Sequence, residues 1–130
     1  MNNKTMVLIV AVLGACAGAS WPAAAHHGAA AFDTGHLTQM PAVVTELDWR
    51  NPHALLRFEV TDERGASSTW TAETAGLVIL LRAGWTRDVV RPGDQVMVFG
   101  HRAVNGSHTM LLKRLVLPSG RELTSIIPSR

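Results

Sequence analysis

The sequence predicts a mainly β protein, a five-stranded OB-like Greek-key barrel with one short helix between strands 3 and 4. Three observations lead to this prediction: segments in which apolar and polar residues alternate, an Asn-Gly pair at a hairpin position, and one segment with helical periodicity. Three strands, a short helix and two strands follow the element order of an OB-type barrel, and closure removes the edges that an open sheet exposes. A flat meander packed on one helix is the alternative architecture.

The first three strands are predicted from alternation with a period of two. The first covers residues 42–49, and one of its faces is formed by Val43, Thr45, Leu47 and Trp49. The second covers residues 54–61, and its inward face is formed by Ala54, Leu56, Phe58 and Val60. The Asp-Glu-Arg-Gly turn at 62–65 leads into a third strand at 67–73, which is rich in Thr and Trp.

The period changes to that of a helix at residues 75–83. Four apolar residues recur at helical spacing and are expected to point into the barrel mouth, namely Leu77, Leu80, Leu81 and Trp85. Gly84 stands where a helix C-terminal cap belongs. The Arg-Pro-Gly-Asp turn at 91–94 then leads into a fourth strand at 95–101, and Asn105-Gly106 predicts a two-residue hairpin loop before a fifth strand at 108–117.

The first 25 residues have the organisation of a secretory signal peptide. Lys4 precedes a short apolar run, and Ala23 and Ala25 satisfy the small-x-small cleavage rule, so that the mature chain begins at His26. The run is too short for a good membrane span, which needs about 20 apolar residues. The alternative is a lipoprotein anchored at Cys16, because the four residues ending there resemble a lipobox. Both interpretations predict a periplasmic or secreted protein.

The mature chain is predicted to consist of a flexible N-terminal arm, residues 26–36, and an OB-like domain, residues 37–127. The single cysteine, Cys16, leaves with the signal, so neither a disulfide nor a thiolate metal site is expected. The formal net charge is only +2 and Tyr is absent, which argues against a nucleic-acid surface. The expected partner is an unknown small molecule or an exported protein, and a membrane only if Cys16 is lipidated.

The stretch Trp-Arg-Asn-Pro-His at 49–53 interrupts the first two strands. Pro52 has no N–H and favours an extended Asn51, so the stretch is predicted to form a corner. Turn chemistry explains Asn51 and Pro52 but leaves Trp49 and His53 unexplained. One interpretation is a purely structural barrel corner, and the other places Trp49, Asn51 and His53 on the rim of a ligand cleft.

Several segments together resemble a family of secreted bacterial proteins of unknown function. They are the His-His start HHGAAAFD, the Trp-x-Asn-Pro-His motif in WRNPHALLRFEV, and an Arg-x-Gly-Trp, Pro-Gly-Asp and Gly signature from LLRAGW to NGS. The resemblance covers essentially the whole mature chain and implies a small exported β-barrel. It brings no activity and no catalytic residue with it. The family more often has Pro-Asn at the helix start, where this chain has Ala75-Gly76.

The histidine-rich mature start predicts a copper site. If the chain begins at His26, its α-amine and imidazole form a bidentate chelate that His27 or the rim residue His53 would complete. A polar His-His arm that is simply solvated is the alternative interpretation.

A second metal patch is predicted on the hairpin. With a two-residue loop, His101 lies opposite Met110 and shares a face with His108, and ligands of this kind suit copper. The alternative is that Met110 is a core residue and not a metal ligand.

Enzyme motifs are not found in the sequence: no nucleophile motif, phosphate-binding loop or zinc-binding helix motif occurs, and Asp94 is explained as a turn cap. The leading hypothesis is therefore an exported, non-enzymatic OB-like binding or interaction module with an unknown ligand. The alternative is a periplasmic copper-binding protein that uses the histidine-rich arm.

Overall fold

The computed structural model describes residues 31–126, which form a closed five-stranded barrel with one short helix. The elements are β1 (Thr38–Asp48), β2 (Leu55–Thr61), β3 (Ser67–Glu73), α1 (Leu77–Arg82), β4 (Gln95–Arg102), β5 (Thr109–Val116) and a short β6 (Glu122–Thr124). The strands are hydrogen-bonded in the order β3-β2-β1-β4-β5-β6, and a parallel pairing of β3 with β5 closes the ring. The predicted closed barrel with a helix between strands 3 and 4 is confirmed. The predicted signal peptide and Cys16 lie outside the described residues.

The barrel core is built from alternate residues, as the period of two predicts. On β2 the inward residues Leu56 and Phe58 are fully buried, as is Ala54 just before the strand. On β3 the inward residues are Trp70 and Ala72. Burying a Leu or Phe side chain contributes about 1.5–3 kcal/mol relative to leaving it in water, so this shared interior is the main source of stability.

β1 changes its inward face at a β-bulge. In its first half the buried residues are Met40, Ala42 and Val44. The pairing with β2 shifts between Val44 and Glu46, and the extra residue reverses the alternation, so that Leu47 and Trp49 pack against the core beyond it. The single predicted face running from residue 43 to 49 is therefore wrong in its first half, where Val43 is 40% exposed.

α1 packs against the core through Leu80, which is fully buried, and through the partly buried Leu77. It ends as predicted at Gly84 (φ +86°), with the amides of Gly84 and Trp85 donating to the carbonyls of Leu81 and Leu80. Leu81 is 57% exposed, so its predicted inward position is wrong, because it lies roughly 100° around the helix from Leu80. No helix within residues 31–126 has the length and apolar character needed to cross a membrane.

The helix begins two residues later than predicted. Gly76 is its N-cap and is extended (φ −66°, ψ 158°), with no side chain to cap the first turn. A Cβ at Gly76 would meet the carbonyl oxygen of Pro52 at 3.0 Å, so the chain from the β1–β2 corner passes directly beside the helix start.

β6 was not predicted from the sequence, in which the strand at 108–117 was expected to be the last. Leu123 on this strand is fully buried, and the indole N–H of Trp85 donates to the carbonyl of Thr124 at 2.8 Å. The amide of Ala75 donates to the Ser125 hydroxyl at 2.9 Å. β6 and the residue after it, Ser125, therefore bind both ends of the helical segment to the barrel. A strand of three residues is too short to show an alternating pattern in the sequence.

The β4–β5 hairpin exists, but its register differs by one residue from the prediction. Arg102 pairs with Met110 and His101 with Leu111, and residues 104–108 form a longer loop than Asn105-Gly106 alone. The side chain of Asn105 accepts the amide hydrogen of Ser107 at 3.0 Å, and this Asx turn stabilises the conformation of the loop. Because the side-chain period is two, this one-residue shift moves side chains to opposite faces.

Residues 31–36, which we call the N-terminal segment, pair with that hairpin. Phe32 forms a β-bridge with Ala103, and the amide of Asp33 donates to the carbonyl of Arg102 at 2.8 Å. Phe32 is buried although it stands apart from the main core cluster. These contacts hold the N-terminal segment against the hairpin, and residues 26–30 of the predicted arm lie outside the described residues.

Candidate functional site

The corner between β1 and β2 contains the three residues that were predicted to share a rim, and their surroundings differ. The corner contains a cis peptide bond between Asn51 and Pro52. Trp49 packs against the core and lines a groove with the loop at 87–92, whereas Asn51 is exposed. His53 is directed toward the end of β3. Among residues 31–126 no hydrogen bond or ion pair joins Trp49, Asn51 and His53 to one another.

The imidazole of His53 is held in a defined orientation. Its Nδ1 lies 2.9 Å from the carbonyl oxygen of Thr74, and because that oxygen can only accept, Nδ1 carries the hydrogen. Thr74 is fully buried, and both its amide and its hydroxyl bond the carbonyl of Ala54, at 3.0 and 2.9 Å. The other ring nitrogen, Nε2, is left facing the Glu73 carboxylate, with 3.5 Å between Nε2 and Oε1.

Strand pairing explains why His53 and Glu73 meet. Glu73 is the last residue of β3 and pairs with Leu55, the first residue of β2, so His53 lies beside it. Glu73 was missed at the level of the sequence. Its position could have been found by counting back from the Asp-Glu-Arg-Gly turn, because the β2–β3 register is regular from Thr61 to Leu55.

A cavity of about 270 Å³ lies next to Glu73. It opens where the β3–β5 pairing, the β4–β5 loop and the N-terminal segment come together, so three parts of the chain that are distant in sequence form its walls. Its lining residues are Ala31, Phe32, Leu55, Thr71, Glu73, Ala103, Asn105, Ser107, Thr109 and Met110. A volume of this size is slightly below the range of about 300–1,000 Å³ typical of small-molecule pockets.

The walls of the cavity are mostly apolar, and its one charged lining residue is acidic. Phe32, Leu55 and Met110 supply large apolar surfaces, whereas Asn105 and three hydroxyl side chains supply neutral polar groups. Within the described part of the chain, the side chain that faces the Glu73 carboxylate is the His53 imidazole. The cavity therefore combines an apolar body with a single carboxylate at its edge.

The hairpin residues predicted as a second metal patch are not brought together. Met110 is fully buried, which agrees with the alternative prediction that it is a core residue. His101 forms a hydrogen bond through Nδ1 to the carbonyl of His36 at 2.8 Å. His108 stacks on Trp70 with 4.6 Å between ring centroids. The one-residue change of register is the cause, because it puts His101 and Met110 on opposite faces.

Metal ligands were also predicted at His26 and His27, which lie outside the described residues. Within residues 31–126 there is no group of three or more His, Cys, Asp or Glu side chains that could hold a metal ion. His53 is thus the one predicted metal ligand that the structure places beside a second donor side chain, Glu73.

Comparison with known proteins gives one match. A family model described as a family of unknown function (DUF6152) matches residues 15–112. That range includes every residue that lines the cavity, together with His53. No curated protein and no solved structure matches the chain.

Proposed function

The chain belongs to the DUF6152 family, whose function is unknown, and we propose a role from the geometry of the chain itself. The protein is a non-enzymatic binding module that holds a small molecule in the cavity between the N-terminal segment and the β3–β5 pairing. The observation that carries this proposal is the cavity, which is walled by well-separated parts of the chain. The OB-like character of the barrel is part of the proposal and is supported by the strand order around the ring.

The lining indicates which ligand would bind. Apolar walls favour an apolar body, because transferring it from water into the cavity is favourable by about 25 cal/mol per Å² of buried surface. The Glu73 carboxylate favours a positively charged group at the edge, since an ammonium group that leaves water needs an oppositely charged partner. A small amine with an aromatic or aliphatic body satisfies both conditions.

Export is also part of the proposal. It rests on the signal-like first 25 residues and on the cleavage rule met by Ala23 and Ala25. A lipoprotein anchored at Cys16 would place the same module on a membrane surface.

Titration with benzylamine in the presence of EDTA tests the binding role. We expect chemical-shift changes at the amides of Thr71 and Ser107, which line the cavity, and weaker binding of the neutral analogue benzyl alcohol. Thr71→Phe should fill the cavity and lower the affinity at least about tenfold, a loss of roughly 1.4 kcal/mol.

The matched control is Thr69→Phe, which changes the same residue type on the same strand face two positions away, outside the cavity lining. It should leave benzylamine binding unchanged. Equal binding by the two variants, or equal binding of the amine and the alcohol, would contradict the proposed site.

Copper binding through the arm is a second candidate function, and one observation favours it. Ala31 and Glu73 line the same cavity, and Glu73 contacts His53. Ala31 lies five positions after His26, a span of at most about 18 Å when the chain is extended. A chain of this length allows the amine and imidazole of His26 to approach the cavity edge that Glu73 and His53 form.

The terminal amine can be tested directly. Copper(II) is titrated into protein whose intact mass matches a start at His26, and into a variant with one extra N-terminal residue. The extension moves the amine away from the His26 ring while leaving every imidazole in place, so affinity should fall. If the two proteins bind copper equally well, the amine is not a ligand and the arm is a solvated tail.

A further inference from the structure

We propose that His53 and Glu73 are the two protein ligands of an open divalent-metal site at the rim of the cavity. The ligand atoms are Nε2 of His53 and a carboxylate oxygen of Glu73, and Zn²⁺ is the probe that fits them. The site requires neither the amine-binding role of the cavity nor the histidine-rich arm.

The position of the His53 proton is the first argument. Nδ1 donates to the Thr74 carbonyl, so a neutral imidazole presents its free lone pair from Nε2 toward the Glu73 carboxylate. Two acceptors that face each other repel unless a cation lies between them, either a proton or a metal ion. A backbone carbonyl that fixes the outer nitrogen is also the usual arrangement behind a metal-binding histidine.

The distance between the donors is the second argument. Two ligands about 2.0–2.1 Å from one tetrahedral Zn²⁺ lie about 3.3–3.4 Å apart, close to the 3.5 Å between Nε2 and Oε1. That separation is longer than a charge-assisted hydrogen bond, which measures about 2.7–2.9 Å. His36 and Asp33 show the contrast, since their 2.8 Å contact is an ordinary hydrogen bond between exposed side chains.

The third argument is that both residues are held by the fold while their side chains remain accessible to an ion. The imidazole is anchored on Thr74, which is fully buried, and the backbone of Glu73 is held by its pairing with Leu55. The side chains of His53 and Glu73 are nevertheless 34% and 30% exposed, so an ion can reach both. This combination of fixed donors and open access is what a metal site with exchangeable positions needs.

The coordination sphere is open on the cavity side. No third His, Cys, Asp or Glu joins the pair within residues 31–126, so water or a donor atom of a bound molecule takes the remaining positions. Two protein ligands bind a metal ion less tightly than the four ligands of a closed structural site. Because both groups must be deprotonated, binding weakens as the pH falls.

Long-range ¹H–¹⁵N spectra of the histidine rings at pH 7.5 test this site in the whole exported chain. Before metal is added, the His53 ring should carry a hydrogen on Nδ1, which faces the Thr74 carbonyl. Zn²⁺ should then move its Nε2 resonance and leave that of His108, which stacks on Trp70, in place. Glu73→Gln should weaken zinc binding at His53 at least about tenfold, whereas Glu63→Gln, in an exposed turn, should not.

Two outcomes would overturn the site: no movement of the His53 resonance with Zn²⁺, or equal zinc affinity in Glu73→Gln. The result is separable from that for the cavity. Thr71→Phe should block benzylamine but not zinc, and His53→Ala should remove zinc binding but not benzylamine binding.

Discussion

Replacing Trp85 with alanine is expected to lower the free energy of unfolding by about 3–5 kcal/mol. Its ring is 1% exposed and packs in the core cluster with Leu80 and Leu123. Its indole N–H also donates to the Thr124 carbonyl at 2.8 Å, so one side chain connects the end of α1 to β6. The substitution leaves a cavity and an unpaired carbonyl together, and equilibrium urea unfolding measures the sum.

Two further variants separate these contributions. Trp85→Phe keeps most of the apolar volume but removes the donor to Thr124, and should cost about 1–3 kcal/mol. Val78→Ala changes a residue of the same helix that is 61% exposed, and its effect should stay within about 0.5 kcal/mol. A cost for Trp85→Ala no larger than that for Val78→Ala would mean that the helix end is not part of the core.

Gly100→Ala is expected to destabilise the protein by about 1–3 kcal/mol or more. A Cβ at this position would lie 2.5 Å from the carbonyl oxygen of Leu111 and 3.1 Å from Cε of Met110. The methionine tip can move, but the carbonyl belongs to the paired strand β5, and β4 already carries a register shift next to Gly100. Relief of the overlap therefore has to distort the β4–β5 pairing.

Thermal unfolding monitored by circular dichroism measures this effect. The control is Gly35→Ala, where a Cβ would meet nothing closer than 3.4 Å, an ordinary contact. It should leave the midpoint unchanged within a few degrees. If both variants have the melting temperature of the wild type, a Cβ at position 100 does not overlap the carbonyl oxygen of Leu111.

The parts of the fold that the sequence predicted correctly are those controlled by local rules. Alternation placed Leu56 and Phe58 in the core, the Asp-Glu-Arg-Gly turn preceded β3, and Gly84 ended the helix. Each of these depends on a few neighbouring residues whose geometry is nearly independent of the rest of the chain.

The features that were not predicted depend on contacts between residues that are far apart in sequence. The β1 bulge after Val44 arises where one strand has to pair with β2 and β4 in turn, which no periodicity within β1 records. The pairing of Phe32 with Ala103 likewise requires the completed hairpin. The observed β4–β5 register goes with a loop longer than two residues, in which the side chain of Asn105 accepts the Ser107 amide hydrogen.

The candidate site was predicted in part. His53 was identified because turn chemistry left it unexplained, but Glu73 was not, since a Glu at a strand end has no distinctive pattern. Its importance comes from strand pairing that sets it beside His53 and the cavity. Trp49 was named for the same reason as His53, yet beyond the bulge in β1 it packs against the core and lines a different groove.

The parallel pairing of β3 with β5 has a consequence for how the chain reaches this structure. Thr71 pairs with Thr109, so the ring closes through a contact between residues that are far apart in sequence. Contacts of this kind slow folding, because the loop between the partners must be ordered first. A chain emerging from its N-terminus can form the β1–β2–β3 meander early, yet β3 keeps an unpaired edge until β5 has emerged. That interval is when the growing chain is most exposed to edge-to-edge association with other strands.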